Sequence, residues 1–150
     1  MALALLRLDH VRARIEAQLP ALAGNLGNAG DFAQLIERNQ LPQYRHGGFV
    51  LPGRLAGGAA RAMAGMFVQD LDETVSVVLV TRVQGDPSGG KALDEITPLV
   101  RAVIEAVCGW GPDDAPGVFT LVSGELVGSQ GGALIFQLDF ALSDQLRIPS

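Results

Sequence analysis

The stretch VFTLVSGELV (118–127), GSQGG (128–132), ALIFQLDFALS (133–143) decides the fold class. In its last part Leu134, Phe136, Leu138, Phe140 and Leu142 alternate with Gln137, Asp139 and Ser143. Successive strand residues point to opposite faces, so this pattern is a strand with one face on a core and the other turned outward. The Gly-rich link between the two runs predicts a C-terminal β-hairpin, Val118 to Val127 paired with Ala133 to Ser143.

Working upstream, Leu93, Ile96, Leu99, Val100, Val103, Ile104 and Val107 recur at helical spacing. They predict a helix to about Cys108, stopped by Gly109. Pro98 interrupts it: either the main helix starts with Thr97 as N-cap and Pro98 at N1, or an earlier turn is kinked. Trp110 follows the helix-ending glycine and precedes Gly111-Pro112, so its ring can fold back over the helix end as a structural plug. Thr74 to Val83 is the strongest strand further upstream. Val75, Val77 and Leu79 point one way and Val78 and Val80 the other, as in a central strand covered on both sides. Met66 to Gln69 reads as its partner, with Asp70 to Glu73 as the turn. Residues 40–65 carry Pro42, Gly47, Gly48, Pro52, Gly53, Gly57, Gly58 and Gly65. They read as a short strand Phe49-Val50-Leu51 ending at Pro52, then a flexible arm or loop, with a helical turn at Ala59 to Met66. Near the N-terminus, Leu8, Val11, Ile15 and Leu19 predict a helix over about 4–19, ended by Pro20. Asp31 is the expected N-cap of a short helix through Arg38. The sum is one α+β domain over 1–150: a mostly antiparallel or mixed sheet, helices packed on one face, and the C-terminal hairpin.

Composition narrows the function. The chain is 48 % hydrophobic and 18 % charged, enough to bury a core, and its net charge of −5 argues against a nucleic-acid binder. A single cysteine, Cys108, excludes an internal disulfide and a Cys-based zinc site. No uncharged stretch reaches the roughly 18–20 residues of a membrane span, and the N-terminus carries no secretory pattern, so a protein assembled in the cytoplasm is expected. Charge is uneven: residues 1–62 hold seven arginines against four carboxylates, whereas residues 63–150 hold four basic and twelve acidic side chains. The two halves either pair within one fold or attract a neighbouring copy.

Catalytic patterns are weak. Gly85-Asp-Pro-Ser-Gly-Gly-Lys91 has the spacing of a phosphate-binding loop, but Ala92 stands where a Mg²⁺-ligating hydroxyl belongs. Asp139 imitates the acidic residue of a Walker B strand, yet its alternation puts it on the solvent side. His10 and His46 lack nearby companions and read as solvated. Cys108 reads as a buried, inert thiol. The carboxylate groups Asp70/Asp72/Glu73, Asp94/Glu95 and Asp113/Asp114 read as solvated turns and helix starts. No catalytic, cofactor-binding or metal-binding residue is assigned, and no cofactor is expected.

The order of these elements resembles the tail terminator (tail completion) proteins of long-tailed phages. The likeness rests on three places: the helix Leu8 to Leu19; Phe49-Val50-Leu51-Pro52 leading to Val68-Gln69, Asp72-Glu73 and Val75 to Val78; and the helix Leu99 to Cys108 running into Gly109-Trp110-Gly111-Pro112 and the hairpin. The resemblance implies a structural virion protein, not an enzyme. It implies a homo-oligomeric ring, usually a hexamer, at the head-proximal end of the tail. Such a ring stops tube polymerisation and meets the tail tube protein on one side and a head–tail connector or stopper on the other. DNA passes through the lumen without specific binding. In that setting Arg45, Arg54 and Arg61 of the arm are the expected assembly contacts, and Trp110 and Pro112 are structural. Two other readings stay open: another neck ring protein, and a small nucleotide-binding protein built on Gly85 to Lys91.

Overall fold

The protein is described from a computed structural model covering residues 7–38, 45–85, 90–112, 115–130 and 132–149. Helix α1 spans Leu8–Gln18, followed by a 3-10 turn at Pro20–Leu22. A two-residue strand β1 (Leu26–Gly27) precedes helix α2 (Ala29–Glu37). Strands β2 (His46–Met63) and β3 (Met66–Arg82) come next, then helix α3 (Gly90–Val107). Strands β4 (Thr120–Gln130) and β5 (Ala133–Pro149) complete the C-terminal hairpin. The strands form one five-stranded sheet in the order β1-β2-β3-β5-β4. Only β1–β2 is parallel, so the sheet is mixed and mainly antiparallel, an α+β fold.

The pleat explains the core. Val75 pairs with Phe140, Val77 with Leu138 and Val50 with Val77, placing all of them on one face. There they meet Val11 and Ile15 of α1 and Ala92, Ile96, Leu99, Val103 and Val107 of α3, all buried. The alternation of β5 and the helical stripe of α3 are thus two sides of one apolar contact. On the second face Phe49, Val78 and Val80 are also buried, and the Phe32 ring of α2 packs edge-on against Phe49 at 5.1 Å.

Several local expectations are corrected. Residues 46–63 are a strand, not a loop with a helical turn at 59–66, and β3 begins at Met66 and runs unbroken through Asp70–Glu73. The two strands are joined by Ala64-Gly65, with Gly65 at φ +82°, a left-handed conformation that glycine adopts without steric cost. Beyond the helices, β2, β3 and β5 continue side by side, with Met63 paired to Met66 and Met66 to Pro149. This three-stranded arm has few large apolar side chains on β2, and those it has, Leu55 and Met63, are exposed, so backbone pairing rather than burial holds it. Pro52 does not end β2: it sits beside a register shift between Pro52 and Leu55, where a missing N–H is tolerated. Expected residues 4–6, 39–44 (including Pro42), 86–89 and Asp113/Asp114 lie outside the described residues.

Helix ends follow side-chain chemistry. Asn28, not Asp31, is the N-cap of α2; Asp31 at N3 completes a reciprocal capping box, accepting from the Asn28 N–H at 2.9 Å while donating its own N–H to the Asn28 side chain at 3.0 Å. Helix α3 is continuous through exposed Pro98 from Gly90, so it does not start at Thr97. At its far end Gly109 takes φ +77°.

Candidate functional site

The buried polar centre of the molecule is an ion cluster that ties three distant parts of the chain together. Arg7, at the entry to α1, donates through Nη1 to Glu73 at 3.1 Å and through Nη2 to Asp144 at 2.7 Å. The Arg7 backbone N–H also donates to Glu73, placing a carboxylate at the positive end of α1. The Arg7 and Glu73 side chains are each 1 % exposed, so this is structural charge, not a reactive site open to a substrate. Glu73 was expected in a solvated turn; as an odd-numbered residue of β3 it shares the core face with Val75 and Val77.

A second polar network crosses the other face. Ser76 donates to Asp139 at 2.6 Å, and Ser123 and Gln137 reach the same carboxylate at 3.3 and 3.1 Å. Ser143 donates to Asp72 at 2.7 Å and Gln145 to Asp70 at 3.2 Å. Asp139 is therefore half-buried and fully engaged rather than solvated. It lies on the face of the sheet turned away from α3, whose first turn carries exposed Lys91 and buried Ala92. The two halves of a nucleotide site are thus separated by the sheet itself. Addition of Mg-ATP to the purified protein should leave its melting temperature unmoved; a saturable rise at micromolar nucleotide would overturn this.

Arg45, Arg54 and Arg61 do not converge. Arg45 precedes β2 and pairs through Nε with Glu95 of α3 at 3.0 Å, and its Nη2 meets the other Glu95 oxygen. That hydrogen bond, with the positive charge behind it, holds the Glu95 carboxyl below its usual range and keeps Arg45 charged. His46 is half-buried, not solvated: its Nδ1 lies 3.2 Å from the Thr81 hydroxyl and its Nε2 3.9 Å from Glu95. Arg54 sits at the first irregularity of β2 and Arg61 opposite Val68 near the arm's tip. Both are exposed and make no ion pair among the described residues.

Trp110 packs at the corner that follows α3. Its ring stacks on Phe119 with centroids 5.9 Å apart and planes 15° from parallel. The Arg14 guanidinium lies 5.6 Å from the Trp110 ring and donates to the Ala106 carbonyl at 2.9 Å, satisfying a carbonyl in the last turn of α3. Pro112 is buried beside this corner and accepts from the Ala115 N–H at 2.9 Å. Cys108 is half-buried, and His10 is exposed as expected.

What remains unspent is surface of a particular kind. Leu121, Val122, Leu126 and Val127 of edge strand β4 are exposed, as are Leu55, Met63, Met66 and Ile148 of the arm. Scattered exposed apolar residues are ordinary, but here they line strand edges and a protruding tip, where another chain can pair. Among the described residues no group of His, Cys, Asp and Glu is arranged to hold a metal ion, and no helix is long and apolar enough to cross a membrane.

Buried charge ties the fold together, and apolar residues are left along strand edges. The family model described as "Phage tail terminator protein" matches residues 1–150, and the chain belongs to that family. It is a family of structural virion proteins of the phage tail, not known as enzymatic. Among curated proteins none matches this chain.

Proposed function

We propose that the protein forms a closed homo-oligomeric ring, six copies in number, on the head-proximal end of the tail tube. The ring ends tube polymerisation and offers its other side to the head–tail connector or stopper. DNA passes through its lumen without specific binding, and an acidic chain suits that passage because it does not grip phosphate. The observation that carries this reading is the family match over the whole chain. The projecting arm and the exposed strand edges supply the contact surface that such a role demands. Arg54 and Arg61, without ion-pair partners among the described residues, are the charges available to a neighbouring subunit or to the tube; Arg45 is already committed to Glu95.

Deleting the gene from the phage should give tails of uncontrolled length that fail to join heads, seen by electron microscopy of lysates. Normal particles would sink the reading. Restoring the gene with Arg54 and Arg61 both replaced by Glu should weaken assembly, most visibly at low salt, where exposed charges are least screened. Unchanged ring formation and tail length would remove these two arginines from the interface. Placement of the protein in assembled particles distinguishes a terminator from another neck ring.

A further inference from the structure

The sheet ends in two unlike edges. On one side β4 (Thr120–Gln130) has no outer neighbour among the described residues. On the other, β1 pairs with β2 at Gly48 and Phe49, and among the described residues no strand covers that side of β2 from Val50 to Met63. Open strand edges present unpaired N–H and C=O groups that another strand can satisfy.

The edges are complementary in three ways. In charge, β4 carries a single ionisable side chain, Glu125, whereas the open part of β2 carries just Arg54 and Arg61. All three are exposed and make no ion pair among the described residues. In bulk, β4 offers exposed Leu121, Val122, Leu126 and Val127, while β2 offers Gly57, Gly58, Ala59, Ala60 and Ala62, small enough for close approach. In shape, each strand has one extra residue at two places. Those of β4 fall between 121 and 123 and between 126 and 128, and those of β2 between 52 and 55 and between 57 and 60. Both pairs are five residues apart, so the two edges coil at the same interval.

We propose that β4 of one copy pairs antiparallel with the open edge of β2 of a second copy, making one sheet continuous across the subunit boundary. This rests on the ring reading above and names the surface that closes it. The pairing is heterologous, which is what a ring requires. Its direction follows from symmetry: β2 and β4 run opposite ways in this sheet, and rotation about an axis along the strands preserves that opposition between copies. Matching the irregularities sets Glu125 beside Leu55 and Ala56, within two residues of Arg54.

The test uses the full-length protein, alone and with tail tubes from the same phage, sized by mass photometry. Glu125→Arg and Arg54→Glu should each weaken ring formation on the order of tenfold, equivalent to about 1.4 kcal/mol, and the double swap should restore it. In a Cys108→Ser background, Ala56→Cys with Glu125→Cys should give a ladder of covalent multimers under oxidation, and either cysteine alone should not. Rings that form normally but show no ladder, and ignore the swaps, overturn the edge pairing while leaving the terminator reading intact. A protein that forms no ring with or without tubes, and whose deletion leaves tail length normal, overturns both.

Discussion

Replacing Arg7 with Ala should destabilise the protein by about 3–5 kcal/mol, a typical cost of leaving a buried charge unpaired. For a chain of this size that is a fall in Tm of roughly 10 °C or more. The effect is large because one guanidinium serves two carboxylates. Its removal leaves Glu73 almost wholly buried and Asp144 7 % exposed, with no other cation paired to them among the described residues. The geometry also sets where the damage spreads. Glu73 lies in the middle of β3, Asp144 of β5 pairs with Leu71 of β3, and Arg7 stands at the start of α1. The cluster therefore joins the helical layer to the point where the sheet leaves the helices and becomes the arm. A companion variant separates charge from packing. Arg7→Met with Glu73→Leu and Asp144→Asn leaves no buried charge unpaired and should recover most of the lost stability, because an apolar replacement of a buried ion cluster is often neutral. Thermal unfolding followed by circular dichroism reads both. If Arg7→Ala melts within a degree or two of the parent, the cluster is not holding the layers together.

The cluster also shows what the sequence made legible. Residues whose partners are apolar and periodic were readable: the stripe of α3, both faces of β3 from Val75 to Val80, and the alternation of β5 each announce a buried face. Residues whose partners lie far along the chain were not. Glu73 sits among Asp70 and Asp72 and looks like part of a turn; its burial depends on Arg7, 66 residues away. The arm was missed for a related reason. Strand periodicity is read from large side chains, and Gly53 to Ala62 has few, so its pairing with β3 is written in backbone hydrogen bonds that no side-chain pattern reports. For the candidate surface, sequence groups Arg45 with Arg54 and Arg61, because nothing in it shows that the partner of Arg45, Glu95, is on another element. Nor did it show that Leu121, Val122, Leu126 and Val127 stay exposed, since apolar residues in an edge strand look the same as those in a covered one.

Gly111→Ala should be the second costly change, by about 1–3 kcal/mol, as expected for forcing an atom into filled space. A Cβ at Gly111 would lie 2.1 Å from the carbonyl oxygen of Gly117. That oxygen belongs to backbone, so no side chain can swing away. The two segments are held together by hydrogen bonds from Phe119 N–H to the Trp110 carbonyl at 2.8 Å and from Gly109 N–H to the Phe119 carbonyl at 2.9 Å. An added methyl group therefore has to pry apart the corner that stacks Trp110 on Phe119 and brings Arg14 over the indole. Gly111 is needed here for its lack of bulk, not for an unusual backbone angle, which distinguishes it from Gly109 next to the helix end. Because Trp110 is the only tryptophan, intrinsic fluorescence reads this corner directly. The variant should show a red-shifted emission maximum, reflecting a more solvated indole, together with a lower unfolding midpoint. Gly109→Ala strains the left-handed position instead, where the structure leaves room for a Cβ, and should lower the midpoint with a smaller change in emission. Identical emission from Gly111→Ala and the parent would mean that the corner yields without disturbing the indole, and the close approach would then not be what fixes the end of α3 against the sheet.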